Sequence, residues 1–184
     1  MSDQIRPQAY SPVSKWIHWI TALCVLGIIP GGIIMTNMNE GPLQNQLYDM
    51  HRSFGVVVFV LALARVTARK MFGTPAPLET LTPLERRASV AVHHSLMALI
   101  ILMPLSGWLM TSAYRVDVSV FGLFTLPHLM PKSEPIFDAL AAAHKWLGLL
   151  MAALILSHIG AAIMHTFIKR DGVLQRMLPS SGNK

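Results

Sequence analysis

The sequence predicts an all-α fold, an integral membrane four-helix bundle, and three observations predict it. Of its 184 residues, 53% are hydrophobic and only 13% charged, too few polar groups to cover a soluble domain of this size. Three stretches, residues 16–36, 88–114 and 146–168, contain no Lys, Arg, Asp or Glu. Each exceeds the roughly 18 to 20 apolar residues that cross a bilayer's hydrocarbon. A fourth, shorter stretch over residues 53–64 is flanked by Arg52 and Arg65, whose long side chains can snorkel to the interfaces and extend the span.

The first helix is expected over about 12–36, with Ser11 as N-cap and Pro12 at the first helical position. Pro30, Gly31 and Gly32 predict a bend or end near the outer surface. The second helix is expected over about 48–70. Pro75, Pro77 and Pro83 mark the next connection as a loop, and the third helix follows over about 88–112. Residues 118–130 are apolar but too short to span and carry Pro127, so 115–138 is read as an interfacial outer loop. The fourth helix is expected over about 139–168. The whole chain forms a single membrane domain, and its first fourteen residues lack the basic leader and cleavage site of a secretory signal, so the first helix is expected to remain as an anchor.

A net charge of +6 and a pI near 9.9 do not point to nucleic acid once the cations are placed. With four spans, Arg6, Lys15, Arg65, Arg69, Lys70, Arg86, Arg87, Lys169, Arg170, Arg176 and Lys184 fall on one side, eleven of the 15. Only Arg52, Arg115, Lys132 and Lys145 fall on the other. The positive-inside rule then puts both termini in the cytoplasm. The lone Cys24 allows no internal disulfide and no Cys-x-x-Cys-His haem attachment, so any haem is held by coordination and packing. The 12 methionines are spread through apolar helices, where Met is an ordinary filler.

Histidine placement carries the chemistry, because an ionisable or coordinating group inside a span is costly. His144 and His158 lie on the fourth helix, roughly 21 Å apart along its axis and within about 40° of one face. The first helix enters from the cytoplasm with His18 near its start, and the second enters from outside with His51 near its start. His51 therefore meets His144 near the outer surface, and His18 meets His158 or His165 nearer the cytoplasm. Spacing does not choose between those two. Two cross-helix pairs at two depths are what two non-covalent b haems with paired axial histidines require.

The outer pair shares a pattern, His51-Arg-Ser-Phe-Gly55 and His144-Lys-Trp-Leu-Gly148. Gly55 and Gly148, one turn after each ligand, leave room for a flat macrocycle. Arg52 and Lys145 are placed to neutralise propionates. His93, His94 and His128 read more simply as structural residues, although His93, with His165 and Arg87, lies at a depth suited to hydrogen-bonding a quinone carbonyl. Arg115, with Arg52 and Lys145, is placed to draw an anion to the outer face.

At these residues the chain resembles the bacterial cytochrome b561 family, four-helix dihaem proteins of the inner membrane. The matching stretches are Tyr10-Ser-Pro with Lys15-Trp-Ile-His18-Trp19, then His51-Arg-Ser-Phe-Gly55 with Arg65. They continue with His144-Lys-Trp-Leu-Gly148, His158 and His165, and end in Arg170-Asp-Gly-Val-Leu-Gln-Arg176-Met-Leu-Pro179. The resemblance implies the ligand pairs His18 with His158 and His51 with His144. It also implies electron transfer between an outer donor, superoxide or a redox protein, and the ubiquinone pool. A related group implies an alternative, the electron-relay and anchor subunit of a hydrogenase or dehydrogenase.

Overall fold

The computed structural model describes residues 8–179, and among them four long helices dominate: α1 (Pro12–Asn37), α2 (Pro42–Phe72), α3 (Pro83–Tyr114) and α4 (Glu134–Ile163). Arg6 and Lys184 lie outside the described residues. Helices α1 and α3, and α4 together with the turn that follows it, are long and apolar enough to cross a membrane. Helix α2, at 31 residues, reaches about 46 Å and packs against both α1 and α3. The tightest packing is α1 on α2 and α3 on α4, two antiparallel helical hairpins. They share a thin core of Val25, Val58, Ala62, Leu99, Ile100 and Met151. Helix α4 buries only Met151 and turns Leu149, Leu156 and Ile163 outward. An apolar circumference of this kind needs lipid rather than water as its solvent.

Every helix starts with proline in its first turn, where the missing N–H costs nothing and the fixed φ is already helical. Ser11 caps α1 as expected, its Oγ accepting from the Ser14 N–H at 3.2 Å. The other starts lie earlier than the expected 48, 88 and 139. Pro42, Pro83 and Pro135, read as loop residues, are helix openers, and Thr82 with Glu85 closes a reciprocal capping box. Helix α1 runs over Pro12–Asn37, close to the expected 12–36, with Pro30 inside it, because one lost backbone bond is tolerable within a packed bundle.

The outer connection is more ordered than a loop. Strands β1 (Val118–Val120) and β2 (Phe124–Leu126) pair antiparallel around Phe121 and Gly122, both at positive φ. The fully buried Ser53 holds this hairpin on α2. Its Oγ donates to the Ser119 carbonyl at 3.2 Å and accepts the Phe121 N–H at 3.0 Å, while Phe121 packs edge-on to Phe54. The strained conformation of Phe121 is therefore held by contacts on both its backbone and its ring.

The opposite end is tied by the chain's two described extremities. The Tyr10 N–H donates to the Arg176 carbonyl at 3.2 Å, Trp19 Nε1 to the Met177 carbonyl at 3.0 Å, and Arg176 Nε to the Gln8 carbonyl at 2.7 Å. Lys169 also pairs with Glu85. Both extremities thus share one end of the bundle, together with nine of the cations assigned to the inner side.

Candidate functional site

The fold brings four histidines into two pairs, one near each end. Near the outer end, His51 on α2 and His144 on α4 have ring centroids 6.2 Å apart. Near the inner end, His18 on α1 and His158 on α4 have theirs 6.3 Å apart. Neither pair is hydrogen-bonded ring to ring. Two metal–imidazole bonds of about 2 Å each, with about 1 Å from each nitrogen to its ring centre, span about 6 Å. Both separations therefore suit an iron atom between the rings. Among the described residues no group of three or more His, Cys, Asp or Glu could hold a metal by itself.

The ring nitrogens have unlike surroundings. Nδ1 of His18 and Nδ1 of His51 are buried with no hydrogen-bond partner, a cost that a protein seldom carries without a reason. His144 differs. Its Nδ1 lies 2.9 Å from Ser106 Oγ, and that hydroxyl already donates to the Met103 carbonyl at 2.8 Å. Ser106 must then accept from Nδ1–H, which fixes the tautomer and leaves Nε2 as the free lone pair.

Neighbouring helices shape the outer pair through glycines. A Cβ added at Gly32 of α1 would stand 3.0 Å from His51 Cε1, and one at Gly107 of α3 would stand 3.3 Å from His144 Cε1. Each imidazole lies against a helix backbone that only glycine exposes this closely. A Cβ at Gly55 would meet nothing within 4 Å, and one at Gly148 would meet only Met103 Cε at 3.4 Å. Gly27 and Gly31 form part of an apolar cavity of about 250 Å³ that has His51 in its wall, a surface suited to a flat, greasy ring. The contacts of Gly32, Gly107 and Ser106 with the histidines escaped the sequence reading, although Pro30 and Pro104, each followed within three residues by glycine inside an apolar helix, were the available signal.

The profile of the prokaryotic cytochrome b561 family matches residues 9–180. The chain belongs to that family. Cytochrome b561 homolog 2 of Escherichia coli (strain K12) is 30% identical, with the alignment covering 100% of this chain and 98% of that protein. "Probable superoxide oxidase CybB" of Yersinia pestis is 26% identical over 92% of this chain and 96% of its own length. Cytochrome b561 homolog 1 of Escherichia coli (strain K12) is 25% identical over 92% and 97% respectively. As a b561 cytochrome the chain is a multi-pass membrane protein that binds b-type haem and transfers electrons.

The remaining candidates are distributed unevenly. His93 stacks edge-on to His158, centroids 5.1 Å apart, with its Nδ1 2.6 Å from the Ser89 carbonyl. His94 is bonded to its own helix at the Val90 carbonyl, and His128 to Asp117 in the outer connection. His165 lies in a π-helical turn, Met164–Lys169, with its Nδ1 2.6 Å from Asp171 Oδ2. Burial pushes the Asp171 carboxyl up, but the hydrogen bonds from His165 and the Val173 N–H outweigh that and hold it below the usual range. Arg52 pairs with Asp49 at 3.0 Å and lies over the Tyr48 ring. Lys145, Arg115 and Arg87 are exposed.

The Gly32 contact gives a direct check on the outer pair. Gly32→Ala is expected to displace the His51 ring by a few tenths of an ångström and weaken haem binding about tenfold. Gly160→Ala, where a Cβ meets nothing within 4 Å, is expected to leave it unchanged. Haem titration of the apoprotein reads both.

Proposed function

We propose that this chain is a dihaem cytochrome of the bacterial inner membrane, with cytoplasmic termini, that passes single electrons from superoxide on the outer side to ubiquinone. The two imidazole pairs, 6.2 and 6.3 Å apart at different depths, carry this reading. His51 with His144 and His18 with His158 would hold the two haems, each imidazole offering a nitrogen to iron. Haem supplies a one-electron redox centre at each pair when bound. An imidazole from each helix of a pair would occupy both faces of a haem held there, which suits the site to one-electron relay rather than to binding dioxygen.

Atoms and electrons balance for two superoxide ions per quinone: two dioxygen molecules leave, and the quinone takes two electrons and two protons to become quinol. At the outer end, Lys145 and Arg115 are exposed and Arg52 lies beside His51. These sparse cations favour the approach of a small anion. At the inner end His93 keeps Nε2 free, and Arg87 and the His165–Asp171 pair add donors at the depth where a quinone carbonyl would be held. The relative named as a superoxide oxidase supports the choice of donor.

The test uses purified protein in liposomes containing ubiquinone and a steady superoxide source. Quinol is expected to form at one per two superoxide consumed. A rate no higher than the uncatalysed reaction would sink the reading.

A further inference from the structure

Of the four long helices, α2 alone falls short of the length of apolar sequence that crosses a membrane unaided. Its outer third carries Tyr48, Asp49 and Arg52, and its charge-free stretch begins only at Ser53. At that residue the chain lays the β1–β2 hairpin on the helix. The Ser53 hydroxyl joins the Ser119 carbonyl and the Phe121 N–H, and Phe121 packs on Phe54. The tip therefore meets α2 about 3 Å inward of Arg52, the rise of two helical residues. Two turns farther along α2, on the face that Ser53 marks, Val60 is exposed. Below the hairpin this face looks at lipid, and the hairpin covers its outer continuation.

The hairpin's composition suits that place. Residues 118–127 carry no charge, while Leu123 is 80% exposed, Phe124 55% and Phe121 43%. The turn is closed by the Leu123 N–H donating to the Val120 carbonyl at 2.9 Å, with Phe121 and Gly122 both at positive φ. In water such a turn favours Asn-Gly or Asp-Gly, because Asn and Asp tolerate the left-handed region. Here a phenylalanine holds the strained position. Val120 and Phe124 are register partners and so share one face of the sheet, yet Val120 is buried and Phe124 exposed. Strand β2 thus overhangs the helix, and its side chains continue the apolar circumference of the bundle.

We propose that the tip, Phe121 to Phe124, inserts into the outer leaflet as a lipid-facing sleeve over α2. Its partner is the boundary between headgroups and acyl chains. The free edge of β2 limits the depth, since backbone groups without ladder partners need water or headgroups. The side chains enter hydrocarbon while the strand stays at the headgroup level. Because Ser53 stands two residues from His51, the sleeve also holds the outer histidine pair at that boundary. The insertion requires only the membrane-spanning fold, not a particular electron donor or acceptor.

The test places a nitroxide on the tip of the whole cytochrome in a bilayer of phosphatidylcholine and phosphatidylglycerol. Cys24→Ala removes the native thiol, and Leu123→Cys carries the label. The references are Leu156→Cys, exposed at mid-span on α4, and Asn45→Cys, exposed in the first turn of α2. Saturation of the spin signal reads collisions with oxygen, which concentrates in hydrocarbon, and with a water-soluble nickel chelate. The oxygen-to-nickel ratio at position 123 is expected to be several-fold above that at 45 and to approach that at 156 from below.

Phe124→Cys should give the same result, and it replaces Leu123→Cys if the visible absorption of bound haem shows that variant misfolded. Ser53→Ala, which removes the latch, should lower the ratio at 123. A ratio at 123 equal to that at 45 would overturn the insertion. Few collisions with either reagent would overturn it as well, by showing a second copy or another protein over the tip.

Discussion

His51→Ala and His144→Ala are each expected to lower the haem content from two per chain to one and to leave the inner haem spectroscopically intact. The two rings face each other at 6.2 Å, so on the proposed two-haem reading removing either would deprive one iron of a ligand while the other pair keeps both of its own. The separation of the sites makes the losses independent. His144 and His158 are 14 residues apart on one continuous helix, roughly 21 Å along its axis, beyond the range at which side-chain substitutions usually couple. Haem bound to the native state and not to the unfolded chain stabilises it by mass action. Each variant should therefore melt at a lower temperature as well. A haem assay of the purified variants, read beside the reduced-minus-oxidised spectrum, decides the matter. Loss of both haems, or of neither, contradicts the pairing.

The closeness of the His51 and His144 rings was legible because it depends on topology, depth and helical period, all of which a sequence carries. The helix starts were less so. Pro42, Pro83 and Pro135 stand in polar surroundings and read as loop, yet proline is at home in the first turn, and Thr82-x-x-Glu85 spelled a capping box that pointed to the true start of α3. The hairpin at 118–126 was masked by its apolar composition. Its alternation was present, but the stabilising partner, Ser53, lies more than sixty residues earlier and nothing local announces it. The same applies to Ser106, Gly32 and Gly107. Each acts on a histidine of another helix, and contacts across helices follow from packing rather than from period. Gly55 and Gly148, chosen for their spacing from the ligands, do not touch the rings; the glycines that do are on the facing helices.

His158 and His165 were inseparable by spacing, and the structure supplies what separates them. In an unbroken α-helix seven residues leave a side chain within about 20° of the same face, so both rings would look toward His18. The helix widens to a π turn at Met164, and there the His165 ring meets Asp171 at 2.6 Å, while the ring facing His18 is that of His158. His158→Ala is therefore expected to eliminate the inner haem and abolish electron delivery. His165→Ala is expected to retain two haems per chain with unaltered spectra and to slow quinone reduction by about 10²-fold if its imidazole serves as proton donor. Asp171→Asn should slow the same step less, because the amide oxygen can still accept from His165 Nδ1 and orient the ring. Haem content and quinone turnover, measured on the same preparations, distinguish these roles. A single haem in His165→Ala would return the axial position to His165 and leave His158 as the neighbour.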